Sequence, residues 1–238
     1  KEVREETRTC RNCGKVGHLA AACDQPKKTP SPGTGGASSS GGTGGGNAVL
    51  LAAVDDRVGC AVAQVPVADG EDWLRRMRRE YEWQEFLARL RADREQRVTT
   101  GEGELVQPRE EIMVPTPERR QTKVKADVDD RVSDGVWLRG AEEILSYKPI
   151  DVVDRIAPRG LMVIAVEDDP VTPTDHAISL YERAGAPKKL ILQRHTTHYA
   201  AYEQYGEEVV PAIVEWFQQH LNRSGLVVFS EEATPDDR

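Results

Sequence analysis

Apolar positions are sparse over the first 46 residues and then gather into short runs separated by polar segments. The run NAVLLAAVD, residues 47–55, predicts a short buried helix, and the valine-rich stretch 60–65 predicts a buried strand. From 71 to 97 apolar residues recur at helical spacing, with Trp73, Met77, Tyr81, Phe86, Leu87 and Leu90 near one broad face of a single long helix. Acids nearly balance the arginines of that helix, which predicts a solvated, salt-bridged face rather than a grip on nucleic acid. Residues 99–135 offer few apolar anchors and are expected to form a loop or insertion. The run LMVIAV, 161–166, predicts a strand buried on both faces. After the turn EDDPVTP, Thr172 is expected to cap a helix ending at Gly185, with Pro173 at its first position and Asp175 reaching back. A short strand over 189–193, a polar loop HTTHYAAYEQYG and a helix over 207–221 complete the pattern, with Val210, Ile213, Phe217 and Leu221 on one helical face. Strand and helix in alternation imply parallel strands covered by helices on both sides, an α/β fold.

Composition divides the chain further. The tract KKTPSPGTGGASSSGGTGGG has little apolar surface to offset the entropy of ordering and is expected to act as a flexible Gly/Ser linker over 28–46. It lacks the Gly-Lys-Ser/Thr of a phosphate-binding loop. The formal charge of −8 argues against a protein that coats nucleic acid over its whole surface. That charge is unevenly spread: residues 1–30 hold seven Lys/Arg against four acids, a local +3 that leaves −11 for the rest. Attraction to phosphate, if present, belongs to the N-terminal end. No apolar run approaches the length of a membrane span, so no membrane partner is expected. The first residue is Lys1 rather than Met, which reads as a fragment or a processed form.

Four residues of metal-ligand type stand close together in CRNCGKVGHLAAAC: Cys10, Cys13, His18 and Cys23, spaced Cys-x2-Cys-x4-His-x4-Cys. Three thiolates and one imidazole close a tetrahedral shell around Zn²⁺ and leave no position for water, so the site reads as structural. Gly14 and Gly17 suit the tight turns that so short a loop requires. The absence of a secretory leader favours a reducing, intracellular compartment, cytoplasm or nucleus, in which thiols stay available for metal. Cys60, in an apolar run, is expected to be a buried small hydrophobe. The spacing resembles the zinc knuckle of retroviral nucleocapsid and cellular RNA-binding proteins. That resemblance implies zinc as cofactor and single-stranded RNA or DNA as partner. Binding would come from Arg8, Arg11, Lys15, Leu19 and Lys27, with Arg11 standing where retroviral knuckles usually place a stacking aromatic. Weak, salt-sensitive binding is the expectation.

A second resemblance covers residues 47–221. The segments GGGNAVLLAAVDDRV, VAQVP, IAPRGLMVIAVEDDPVTPTDHA and HTTHYAAYEQYGEEVV are similar to the later half of an α/β-hydrolase, of the dienelactone-hydrolase-like and polyketide-transferase-like kind. The resemblance implies a parallel sheet with flanking helices and a helical cap insertion at about 70–147, followed by a tail from 223. It places Asp169 at the acid position and His198 at the general-base position, in the chain order this fold uses. By local sequence alone, Asp169 reads as a turn residue and His198 as a loop histidine.

The family's nucleophile sits in Gly-x-Ser-x-Gly, and here that place reads GGTGG, with Thr43 where serine belongs. Linker sequence precedes it where a strand is expected, and the oxyanion loop has no counterpart in the first 46 residues. Sequence therefore predicts a knuckle tethered to a partial, catalytically incomplete α/β-hydrolase, with an oligomer or partner covering the incomplete sheet. Two readings stay open beside it: a hydrolase of an ester, thioester or lactone taking a small acyl substrate, and a fusion without integrated function.

Overall fold

The computed structural model describes residues 43–117, 120 and 135–221. The zinc-ligand candidates Cys10, Cys13, His18 and Cys23, with Arg8, Arg11, Lys15, Leu19 and Lys27, lie outside the described residues.

The first described element is helix α1, Thr43–Val54, followed by strand β1, Cys60–Gln64. α1 begins four residues before the expected start and takes in Gly44, Gly45 and Gly46. Close packing explains why glycine stands there. A Cβ on Gly45 would overlap the Gln64 carbonyl oxygen at the end of β1, and one on Gly46 would overlap the Tyr147 hydroxyl.

The main sheet has three parallel strands in the order β1, β4, β5, with β4 at Gly160–Val166 and β5 at Lys188–Gln193. Ala63 pairs with Val163, and Ile164 with Ile191. Successive strand side chains point to opposite faces, and β4 is buried along its whole length. Leu161, Val163 and Ala165 join α1 and helix α5, Thr174–Arg183, in one core. Met162 and Ile164 face Cys60 and helix α7, Gly206–Leu221, in the other. Cys60 is a free, buried cysteine whose thiol pKa burial pushes up. The short helix α6, Ala201–Gln204, closes the C-terminal end of the sheet, where Ala201 packs with Val65 and Val166.

The α7 face differs from the expected stripe. Val210 is 56% exposed and Leu221 48%, whereas Val209, Trp216 and His220 are buried and Ile213 and Phe217 pack beside them. The rings of Trp216 and His220, 3.9 Å apart, lie under Gly160 and set the rotation of the helix. Amphipathic rings outweighed the purely aliphatic count.

The described residues between 70 and 147 form an excursion with its own core. Helices α2, Gly70–Arg76, and α3, Glu80–Thr100, replace the single long helix expected. Asp69 starts α2 by accepting hydrogen bonds from Glu71 N and Asp72 N. The break follows because Arg79 is extended, with its N–H on Glu82 Oε2 at 2.7 Å. Arg78 fills the corner: its guanidinium donates to the carbonyls of Leu74, Glu111 and Ile112 and lies 3.9 Å from the Phe86 ring centre. Burial lowers its pKa to about 10.

The segment expected to be loop also contributes structure. Strands β2, Leu105–Val106, and β3, Val136–Trp137, pair antiparallel, and a π-helical turn spans Pro108–Ile112. Val106, Ile112 and Met113 are buried with Trp73, Trp83 and Phe86. Arg89 on α3 holds Glu104 and Glu111, so the salt-bridged face of that helix is what anchors the segment. Helix α4, Gly140–Ser146, ends the excursion. Its exit and return lie side by side, with Gly70 N–H on Tyr147 O at 2.8 Å and Ile150 N–H on Ala68 O at 3.0 Å. Among the described residues no helix is long and apolar enough to cross a membrane.

Candidate active site

The loops that follow β4 and β5 bring Asp169 and His198 together, with Nδ1 of His198 2.6 Å from Oδ2 of Asp169. His198 is fully buried and Asp169 is 6% exposed. Asp169 is thus both the turn residue that local sequence suggests and the partner of a histidine 29 positions away.

The turn is built first. Thr174 Oγ1 donates to Val166 O at 2.7 Å and accepts from Asp169 N at 3.3 Å, which folds the β4–α5 loop back on its own strand. Asp168 adopts φ +53, a left-handed conformation that aspartate tolerates. Oδ1 of Asp169 then accepts the N–H groups of Val171 at 2.8 Å and Thr172 at 3.1 Å. The expected cap is corrected accordingly. α5 starts at Thr174, Pro173 precedes it, and Thr172 Oγ1 is buried with no hydrogen-bond partner among the described residues. The helix ends at Arg183, two residues before Gly185.

His198 sits between β5 and α6. The Tyr199 ring meets it edge-on at 4.8 Å and the Tyr202 ring at 6.4 Å. Because Nδ1 faces a carboxylate, it carries the proton and donates, which leaves the Nε2 lone pair free. Nε2 is buried and has no hydrogen-bond partner among the described residues. This is the arrangement of an oriented general base.

Thr43 opens α1, whose first turn packs on the C-terminal end of β1. Asp169 and His198 emerge from the same edge of the sheet, after the ends of β4 and β5.

Sequence reasoning missed the side chains that dock α2 onto this loop and onto the first turn of α5. Trp73 Nε1 donates to Val171 O at 2.8 Å, and His176 Nε2 lies 2.8 Å from Asp72 Oδ2. Arg76 grips both oxygens of Asp175 and holds its carboxyl below the usual range. Those partners stand about a hundred positions apart, and no local pattern announces them. Among the described residues, no group of three or more His, Cys, Asp or Glu side chains is placed to hold a metal ion.

Comparison with known proteins assigns the two ends separately. Residues 8–25 match the zinc knuckle family model. An uncharacterized 31.7 kDa protein of Escherichia coli, from the traX-finO intergenic region, is 30% identical over 172 residues, 71% of this chain and 59% of that protein. The chain thus spans about 59% of the length of the curated relatives it matches. Among solved structures, the α/β hydrolase GrgF from Penicillium sp. sh18 superposes with a TM-score of 0.58 at 21% identity, over 75% of this chain and 61% of that one. A monoacylglycerol lipase from Paleococcus ferrophilus gives 0.52 at 16% identity, over 75% and 66%. At such identities the likeness concerns the fold. The chain carries a CCHC zinc knuckle at residues 8–25, followed by a module with the α/β-hydrolase fold.

Proposed function

We propose that the α/β module performs acyl chemistry on an ester, thioester or lactone, and that the zinc knuckle holds single-stranded nucleic acid. The observation that carries the first half is the fully buried His198, with Nδ1 on Asp169 and Nε2 without a hydrogen-bond partner among the described residues. In this reading the Thr43 hydroxyl attacks the substrate carbonyl and passes its proton to His198 Nε2. Asp169 stabilises the imidazolium that forms. The proton then goes to the departing alkoxide or thiolate, and water repeats the sequence to free the acid.

Turnover of p-nitrophenyl butyrate by the zinc-loaded chain tests this. His198→Ala and Thr43→Ala should each lower the rate by about a hundred-fold or more, as loss of a general base or nucleophile does. Background rates in all three proteins would refute it. The module would then be a hydrolase fold without catalysis, and the knuckle the working part.

The second half is supported by the family match and the donor set, since three thiols and an imidazole suit tetrahedral zinc. With no aromatic at Arg11, binding rests on charge. Fluorescence anisotropy with a single-stranded oligonucleotide should show the double variant Arg11→Ala, Lys15→Ala binding several-fold more weakly at low salt. Its log–log salt slope should be shallower by about 1.4, because two fewer phosphates are neutralised and their counterions stay on the strand. Identical binding curves would count against nucleic acid as the partner of this segment.

A further inference from the structure

α2 lies outside the sheet, yet one of its residues holds the loop that carries Asp169 and two more hold the first turn of α5, into which that loop runs. Trp73, 1% exposed, donates Nε1–H to Val171 O at 2.8 Å. Val171 in turn donates its N–H to Asp169 Oδ1 at 2.8 Å. One carbonyl and one amide of the same residue therefore link the indole to the carboxylate. Asp72 meets His176 at 2.8 Å. His176 Nδ1 accepts the Ala68 N–H at 3.1 Å, so its proton resides on Nε2 and is donated to Asp72. Arg76 completes the grip with two bonds to Asp175, at 2.9 and 2.8 Å.

The loop needs such support. Its backbone runs through a left-handed aspartate, and the oxygen that faces His198 is oriented only as well as the other oxygen is held. Two amides, from Val171 and Thr172, hold that other oxygen. Fixing Val171 O restrains the Val171–Thr172 peptide plane, whose other polar group is the Thr172 N–H on Asp169, and so limits the freedom of the adjoining Val171 amide.

We propose that Trp73 is a positioning residue for Asp169, and that α2, anchored through Asp72 and Arg76, is the clamp that sets the Asp169–His198 geometry. The consequence for turnover rests on the acyl-chemistry reading above; the clamp itself is readable without it.

Trp73→Phe keeps an aromatic ring and removes the donor. Nuclear magnetic resonance on the zinc-loaded full chain gives two readouts, amide exchange at Val171 and Thr172 and the low-field Nδ1 proton of His198. In Trp73→Phe both amides should exchange at least ten-fold faster and the Nδ1 proton should broaden or move upfield, with the other amides of the sheet unaltered. A folded Trp73→Phe protein with both signals unchanged overturns the proposal. If that variant does not fold, Arg76→Gln decides, because it loosens α2 at a half-exposed pair: exchange at Val171 and Thr172 should rise about three-fold, and unchanged exchange overturns the clamp. The two hypotheses fail separately. Altered signals without His198-dependent turnover remove the acyl reading alone, whereas His198-dependent turnover with unaltered signals removes the clamp alone.

Discussion

Treating the zinc-loaded chain with a chelator is expected to make three thiols reactive, and no more. Cys10, Cys13 and Cys23 are the thiolate candidates, and metal-bound thiolates react slowly with disulfide reagents. The fourth cysteine, Cys60, is buried in β1 against Met162, and its thiol is shifted toward the unreactive protonated form. It should respond only after the sheet is unfolded in denaturant. Structural zinc in such small modules supplies an apparent free energy of about 10–16 kcal/mol at neutral pH, so the change on chelation is the largest expected for this chain. His18→Ala should show three reactive thiols without chelator, and Cys13→Ser two. A count of four on chelation would mean that Cys60 is accessible, and a count that ignores chelator would mean that no zinc is held.

Replacing Asp169 by alanine should lower the stability of the α/β module by about 3 kcal/mol or more, since each buried donor left without its acceptor costs about 1–3 kcal/mol. The carboxylate accepts from two backbone amides and one imidazole, and alanine leaves all three buried donors without their acceptor. Urea unfolding followed by tryptophan fluorescence reads this as a fall in midpoint at unchanged slope. Asp169→Asn keeps the shape and one acceptor oxygen, and should cost roughly half as much. An ordinary exposed turn aspartate would cost less than about 1 kcal/mol, and that result would separate Asp169 from the site.

Strands and ligands were legible in the chain to different degrees. β4 declared itself because six consecutive apolar residues bounded by turn formers have few other uses. The Asp169–His198 pair was legible through family likeness, whereas local sequence offered a turn residue and a loop histidine. The break between α2 and α3 was hidden, because Met77, Arg78 and Arg79 continue a helical pattern and only the buried hydrogen bonds of Arg78 show why the chain bends. The buried stretch at Val106, Ile112 and Met113 was missed for a related reason: its anchors are ion pairs from α3, which no periodicity in residues 99–135 records. Long-range partners such as Trp73 and Val171 became visible only in three dimensions.

The neck at Ala68–Gly70 and Tyr147–Ile150 has an evolutionary consequence. An excursion that departs and re-enters through adjacent backbone hydrogen bonds can lengthen or shorten beyond α2 while the flanking strands keep their register and α2 keeps its hold on Val171 and Asp175. Closure entropy imposes little resistance, since doubling a loop costs only about 0.6 kcal/mol. Lineages that inherit this sheet can thus refashion the excursion beyond α2 without relearning how to fold.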